Sequence, residues 1–317
     1  MYTDDNVSLL LCVVVYVRGV TQLRDTIYLV CALWPAIWTV DAKTLQTLRD
    51  IDVRELMQPD DIAVCEKTSC VYVADFACVW RVSSDGGDIQ RWLQWSPPDT
   101  FRPLTLSVTS SRLLVTSRNS NQLTQFDSFG DELRLVDLPD DMKPHHAIET
   151  TTGTFIISHE NTKLKKDQVS EVNTGGQVLR QFSGSRLLPL SIAPLSALHI
   201  AVDSQGNIFV ADRDNHRISV LNSKLVLRRI IINECIEQPL RLCCMKQSGQ
   251  LLVGDLDVLA VFNVLHCRQT VQRRPNERRP NVLESGTARQ TVQRRPNVLT
   301  SGTAHSVSRR CCQCLVT

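Results

Sequence analysis

The chain has 317 residues, 43% hydrophobic side chains and a formal net charge of +2. That apolar share excludes a wholly disordered chain, and 12 cysteines fall far short of a disulfide-built scaffold. The near-neutral total hides a split: residues 267–317 hold ten Arg, no Lys and two Glu, so residues 1–266 are net −6.

The first predicted element is the apolar run Val7 to Val17, VSLLLCVVVYV. It is too short to cross a bilayer as a helix, which needs about 20 residues. Asp4 and Asp5 precede it where a secretory signal would carry Lys or Arg. Its β-branched content reads as a buried strand. With no export signal and no transmembrane segment, a cytoplasmic location is expected, with the cysteines as free thiols packed as small apolar groups.

From Thr26 onward a repeat takes over. TIYLVC (26–31), CVYVAD (70–75), RLLVTS (112–117), TFIISH (154–159), NIFVAD (207–212) and QLLVGD (250–255) share one shape. Each is followed by a second strand, and the apolar residues Val40, Val82, Phe126, Val172, Leu221 and Phe262 in those strands recur every 41 to 49 residues. Before five of the six lies a short segment, mostly opened by proline: 58–64, 102–108, 143–149, 197–203 and 238–244. After five comes a final strand, at 45–51, 88–93, 132–138, 177–182 and 225–231. Turn chemistry such as Asp85-Gly86-Gly87 and Thr174-Gly175-Gly176 separates them. Four antiparallel strands per unit of about 43 residues is the pattern of a β-propeller. The predicted fold is therefore all-β, a six-bladed β-propeller over residues 1–266. The sixth unit lacks a fourth strand after Leu265, and the Val7–Val17 run is one strand too many. The N-terminal strand is expected to complete the last blade, which removes two open sheet edges.

Residues 200–220 read IAVDSQGNIFVADRDNHRISV. This segment resembles an NHL repeat, the motif of six-bladed propellers in tripartite-motif ubiquitin ligases and related translational repressors. Asp203, Gly206, Asp212, Asn215 and Arg217 take structural roles in it. Gly206 supplies a positive φ in a tight turn, Asp212 and Arg217 bridge the next turn by a charge-assisted bond, and Asn215 tolerates a left-handed conformation. The RING finger, B-box and coiled coil of those ligases have no counterpart here. Cys65, Cys70 and Cys78 have the wrong spacing for a zinc ribbon, so ligase activity is not carried over.

The Pro-opened segments place Asp60, Asp61, Arg102, His145, His146, His199 and Arg241 at one mouth of the central channel. Aligning the units puts Asp61, Thr105, His146, His199 and Arg241 at equivalent positions, each two residues after the proline or its Ala197 counterpart. The expected function is non-catalytic: a monomeric scaffold whose loops at that mouth bind a protein partner, with no cofactor and no metal. One alternative is a metal-dependent lyase- or lactonase-like enzyme around His145, His146 and His199, although only Pro144-His145 repeats the Pro-His pattern of the amidating lyases. Another is a propeller that binds single-stranded RNA, which the negative core disfavours. Trp80, Trp92 and Trp95 are expected in the core.

The tail repeats itself: RQTVQRRPN occurs at 268–276 and 289–297, and RRPNVLESGTA (278–288) returns as RRPNVLTSGTA (294–304). It has no apolar period and one-sided charge, so it is expected to be a disordered low-complexity segment. Translated repetitive DNA would give the same pattern. Cys314 sits four residues from the end in a weak match to a prenylation signal.

Overall fold

The computed structural model describes residues 7–12 (backbone only), 16–32, 34–95, 101–184, 194–232, 236–256 and 258–263. The chain divides into two units, Met1–Arg268 and Gln269–Thr317, and every described residue lies in the first. The basic tail and Cys314 lie outside the described residues.

Apart from a 3₁₀ turn at Arg213–Asn215, every described element is a strand. The strands form six four-stranded antiparallel sheets, each a blade. The first strand of each blade faces the axis: Val17–Leu23, Asp61–Cys65, Pro103–Thr109, Met142–Glu149, Ala197–Val202 and Arg241–Cys244. Each inner strand abuts that of the next blade, and the sixth abuts the first, so the ring is closed. All six run the same way along the axis. The face where they begin is called proximal below, and the face where they end distal.

The second strands are buried almost end to end, as in Thr26–Cys31, Cys70–Ala74 and Ile208–Asp212. A blade interior is covered on both faces by its neighbours, so these strands read as continuous apolar runs. The fourth strands lie at the rim, and most of their side chains are exposed. Each of the fourth strands of blades 1 to 5 buries one apolar anchor: Ile51, Leu93, Val136, Phe182 or Ile231. The core is six clusters, one between each pair of adjacent blades. The sixth joins Val17, Ile27 and Leu29 of blade 1 to Leu252, Leu259 and Val261 of blade 6.

The expected closure is present: Val7–Cys12 pairs antiparallel with Val258–Asn263, bringing Leu10 opposite Ala260. The run from Val7 to Val17 is not one strand, however. It ends at Cys12, and Val17 opens the inner strand of blade 1. The first blade therefore has the inner strand that reading the repeat alone had not found.

Candidate functional site

The aligned positions converge on the axis as buried members of the inner strands. Asp61, Thr105, His146, His199 and Arg241 are each at most 9% exposed. In four blades a bulge immediately precedes the position, between Val17 and Gly19, Pro103 and Thr105, Pro144 and His146, and Ala197 and His199. A bulge re-aims the following side chain, here toward the next blade.

The reason is backbone accounting. An inner strand has no partner on its axial edge, and buried N–H and C=O groups there need one. Asp61 Oδ2 accepts the Leu106 N–H of blade 3 at 2.9 Å. Thr105 Oγ1 donates to His145 O of blade 4 at 2.8 Å. His146 Nδ1 accepts the Ile200 N–H of blade 5 at 3.4 Å, and His199 Nδ1 accepts the Leu242 N–H of blade 6 at 3.3 Å. Arg241 Nε donates to Arg18 O of blade 1. The equivalent residue of blade 1 is Gly19, where a Cβ would lie only 2.6 Å from Ile62 N of blade 2. Arg241 spans this gap as well, donating from Nη2 to Asp60 O at 2.9 Å. The five side chains thus form a belt around the axis. Gly19 belongs to it and was missed, because blade 1 carries no proline to mark the register.

The belt holds one buried charge pair, Asp61 Oδ1 to Arg241 Nε at 3.7 Å. Burial pushes the Asp61 carboxyl up to about 6, with Arg241 pulling the other way. Burial, assisted by Arg241, drives His146 down to about 3. His199 is held well below its ordinary value by burial, His146 and Arg241. Both rings are therefore neutral. Nδ1 of each accepts an amide N–H, which places the ring proton on Nε2. His146 Nε2 donates to Leu106 O at 3.4 Å.

Asp61, His146 and His199 bring donor atoms within 4.8 Å of one another. They do not fit a shared metal ion. The two imidazoles are stacked, with centroids 3.8 Å apart and planes 17° from parallel. A ring lone pair lies in its own plane, so one ion about 2 Å from each nitrogen cannot lie in both planes. His145 stands apart, facing Asp167 at 3.4 Å.

The remaining expected residues sit proximal to the belt. Asp60 is buried and paired with Arg118. Arg102 lies over the Phe76 ring, 4.4 Å from its centroid. Distal to the belt the channel widens into a well of about 520 Å³, with His146 and His199 among its lining.

In the fifth blade Asp212 is fully buried. It accepts Arg217 Nε at 2.6 Å, Asn215 Nδ2 at 2.6 Å and the Ser196 N–H at 2.9 Å. Gly206 has φ +77°, and Asp203 Oδ1 accepts the Gln205 and Asn207 N–H groups at 2.9 and 2.8 Å. The left-handed residue of the second turn is His216, at φ +52°, and not Asn215. Asn215 lies in the 3₁₀ turn because its amide is needed on Asp212. Residues 198–221 match the NHL repeat family. The fifth blade is an NHL repeat. Asp75 and Asp255 stand where this repeat has Asp212, and both are buried caps of backbone N–H groups.

No curated protein matches the chain in sequence. Solved structures match its shape. A streptogramin B lyase is 10% identical with a TM-score of 0.58, covering 81% of this chain and 95% of its own. A nidogen/laminin complex gives 11% and 0.58, over 73% of this chain and 85% of the other. Hydrazine synthase of Kuenenia stuttgartiensis gives 13% and 0.56, over 83% and 99%. These likenesses extend to the propeller fold, which hosts enzymes and binding domains alike.

Proposed function

We propose that this NHL-repeat propeller is a non-catalytic binding domain that docks a protein partner on its proximal face. Six exposed large apolar side chains lie in the proximal loops: Tyr16, Trp34, Met57, Phe76, Leu164 and Ile232. Only Phe129 and Val226 do so in the described distal turns. The observation that carries the reading is the arc over blades 1 and 2. The Ala32 N–H donates to Tyr16 O at 3.1 Å, and the Phe76 N–H donates to Met57 O at 3.3 Å, so each pair of loops is held together. Arg102 covers the Phe76 ring. Aromatic, Met and Arg side chains in one exposed patch have the composition of protein-binding hot spots. Asp60 and Arg102 border the patch, whereas His145 belongs to blade 4, where it faces Asp167. Asp61, His146, His199 and Arg241 hold the blades beneath it together and contribute through that rigidity.

The test is affinity capture with residues 1–266, compared with a Trp34→Ala, Met57→Ala, Phe76→Ala triple variant. All three side chains are exposed, so the variant keeps its far-ultraviolet circular dichroism. Loss of the partners in the variant supports the reading. Recovery of the same partners at the same yield contradicts it. Capture of RNA by the parent, lost at high salt, would replace it with the nucleic-acid alternative.

A further inference from the structure

The well on the distal side of the belt is independent of the proximal patch. Its volume, about 520 Å³, is in the range that holds a small-molecule ligand, roughly 300–1,000 Å³. Its walls draw on all six inner strands, and the half-buried Val64, Val108, Ile148 and Val202 are the aliphatic side chains they present. The stacked His146 and His199 form the floor. Near the distal rim Lys246 and Glu66 pair at 2.7 Å.

The floor has one unanswered donor. His199 is 5% exposed, and its Nδ1 is occupied by the Leu242 N–H. Its proton is on Nε2, which makes no hydrogen bond to any described residue and lies 4.0 Å from Asp61 Oδ2, too far to donate to it. Both nitrogens of His146 are used. The floor carries no net charge, because Asp61 faces Arg241 at 3.7 Å. The rim pair is neutral as well. On the floor a charged group would lose its hydration and find no free counter-charge; Arg24, the lining cation outside the rim pair, is exposed at the distal rim and stays in water.

We infer that the distal well is a binding site for a neutral, largely apolar small molecule that carries a carbonyl-type hydrogen-bond acceptor and places it on His199 Nε2. The acceptor pairs with the one donor of the floor, and the apolar body displaces water from the aliphatic walls. The site goes beyond the protein-docking reading and does not depend on it.

The probe is a neutral, solvatochromic naphthyl ketone, titrated into residues 1–266 beside its ketone-free hydrocarbon and a sulfonated anion of the same ring system. The inference expects saturable binding of the ketone, about tenfold weaker binding of the hydrocarbon, and none of the anion. Gln22→Trp places a bulky ring at the distal rim, where Gln22 is half-buried and clear of the core clusters. It is expected to abolish binding of the ketone. His199→Phe keeps the stack and removes the donor. Ketone emission in that variant is expected to shift to the blue, as for a carbonyl without a hydrogen bond. Absence of saturable ketone binding overturns the inference. So does equal affinity for ketone and hydrocarbon, or undiminished binding in Gln22→Trp, and neither result depends on how well His199→Phe folds.

Discussion

Replacing Arg241 by Met tests the belt at its most charged link. The change keeps an unbranched side chain of similar reach. It deletes the donors to Arg18 O, Asp60 O and Leu240 O, and leaves Asp61 buried without a counter-charge. Breaking a buried ion pair from one side costs about 3–5 kcal/mol. The cost should depend on pH. Asp61 in the parent titrates at about 6, above its unfolded value, because burial outweighs Arg241. A raised carboxyl contributes stability in full below its unfolded pKa, and that contribution is lost as pH rises through the folded value. Without Arg241 the folded pKa moves higher still, and the loss extends to higher pH. The penalty of Arg241→Met is therefore expected to be largest near pH 8 and smaller near pH 5, where Asp61 carries its proton in both proteins. Adding Asp61→Asn to Arg241→Met should recover part of the loss at pH 8. Urea unfolding of all variants at both pH values measures this. A penalty below about 1 kcal/mol, or one equal at both pH values and unaffected by Asp61→Asn, would refute the charge pairing.

Three further outcomes follow from the same geometry. Asp212→Ala leaves Arg217, which is 7% exposed, without its carboxylate and is expected to cost about 3 kcal/mol; unchanged urea unfolding would count against the pair. Deleting residues 1–13 removes the strand that pairs with Val258–Asn263 and bares that edge. The deletion is expected to associate into oligomers in light scattering, whereas a monomer of parental stability would show that the strand does not close the ring. Acid should destabilise the fold, because His146 and His159 are depressed to about 3 and about 4, chiefly by burial, while the unfolded chain takes up protons below about 6.5. Between pH 7 and pH 4.5 each such histidine removes up to about 3 kcal/mol, partly offset by Asp61. His146→Phe should flatten this dependence, and an unchanged pH profile in the variant would be the contrary result.

The architecture was legible because the second strand of each blade is buried on both faces, and TIYLVC, NIFVAD and QLLVGD keep that stamp when little else recurs. The anchors Ile51, Leu93 and Phe182 and the core position of Trp80, 5% exposed, follow from the same logic. The belt was legible only as an alignment. That Asp61, His146 and His199 would be buried, each with a backbone N–H of the next blade, depends on the unpaired inner edge, which exists only once the ring is formed. Gly19 was hidden because its strand opens inside the apolar Val7–Val17 run. His216 took the left-handed turn expected at Asn215 because the demand of Asp212 for the Asn215 amide outweighs backbone preference. The proximal arc was invisible for another reason. Tyr16, Trp34, Met57 and Phe76 are scattered over two repeats, and only the loop geometry joins them.

The belt is tested most directly by the histidine tautomers. Two-bond nitrogen–proton NMR spectra of ¹⁵N-labelled residues 1–266, with His146 and His199 assigned by substitution, report which ring nitrogen carries the proton. The account predicts that both are neutral at pH 7 with the proton on Nε2, and that His146 stays neutral down to about pH 5. Protonation midpoints near 6.5, or protons on Nδ1, would mean that these rings do not receive the Ile200 and Leu242 amides, and the belt would fail at two of its links.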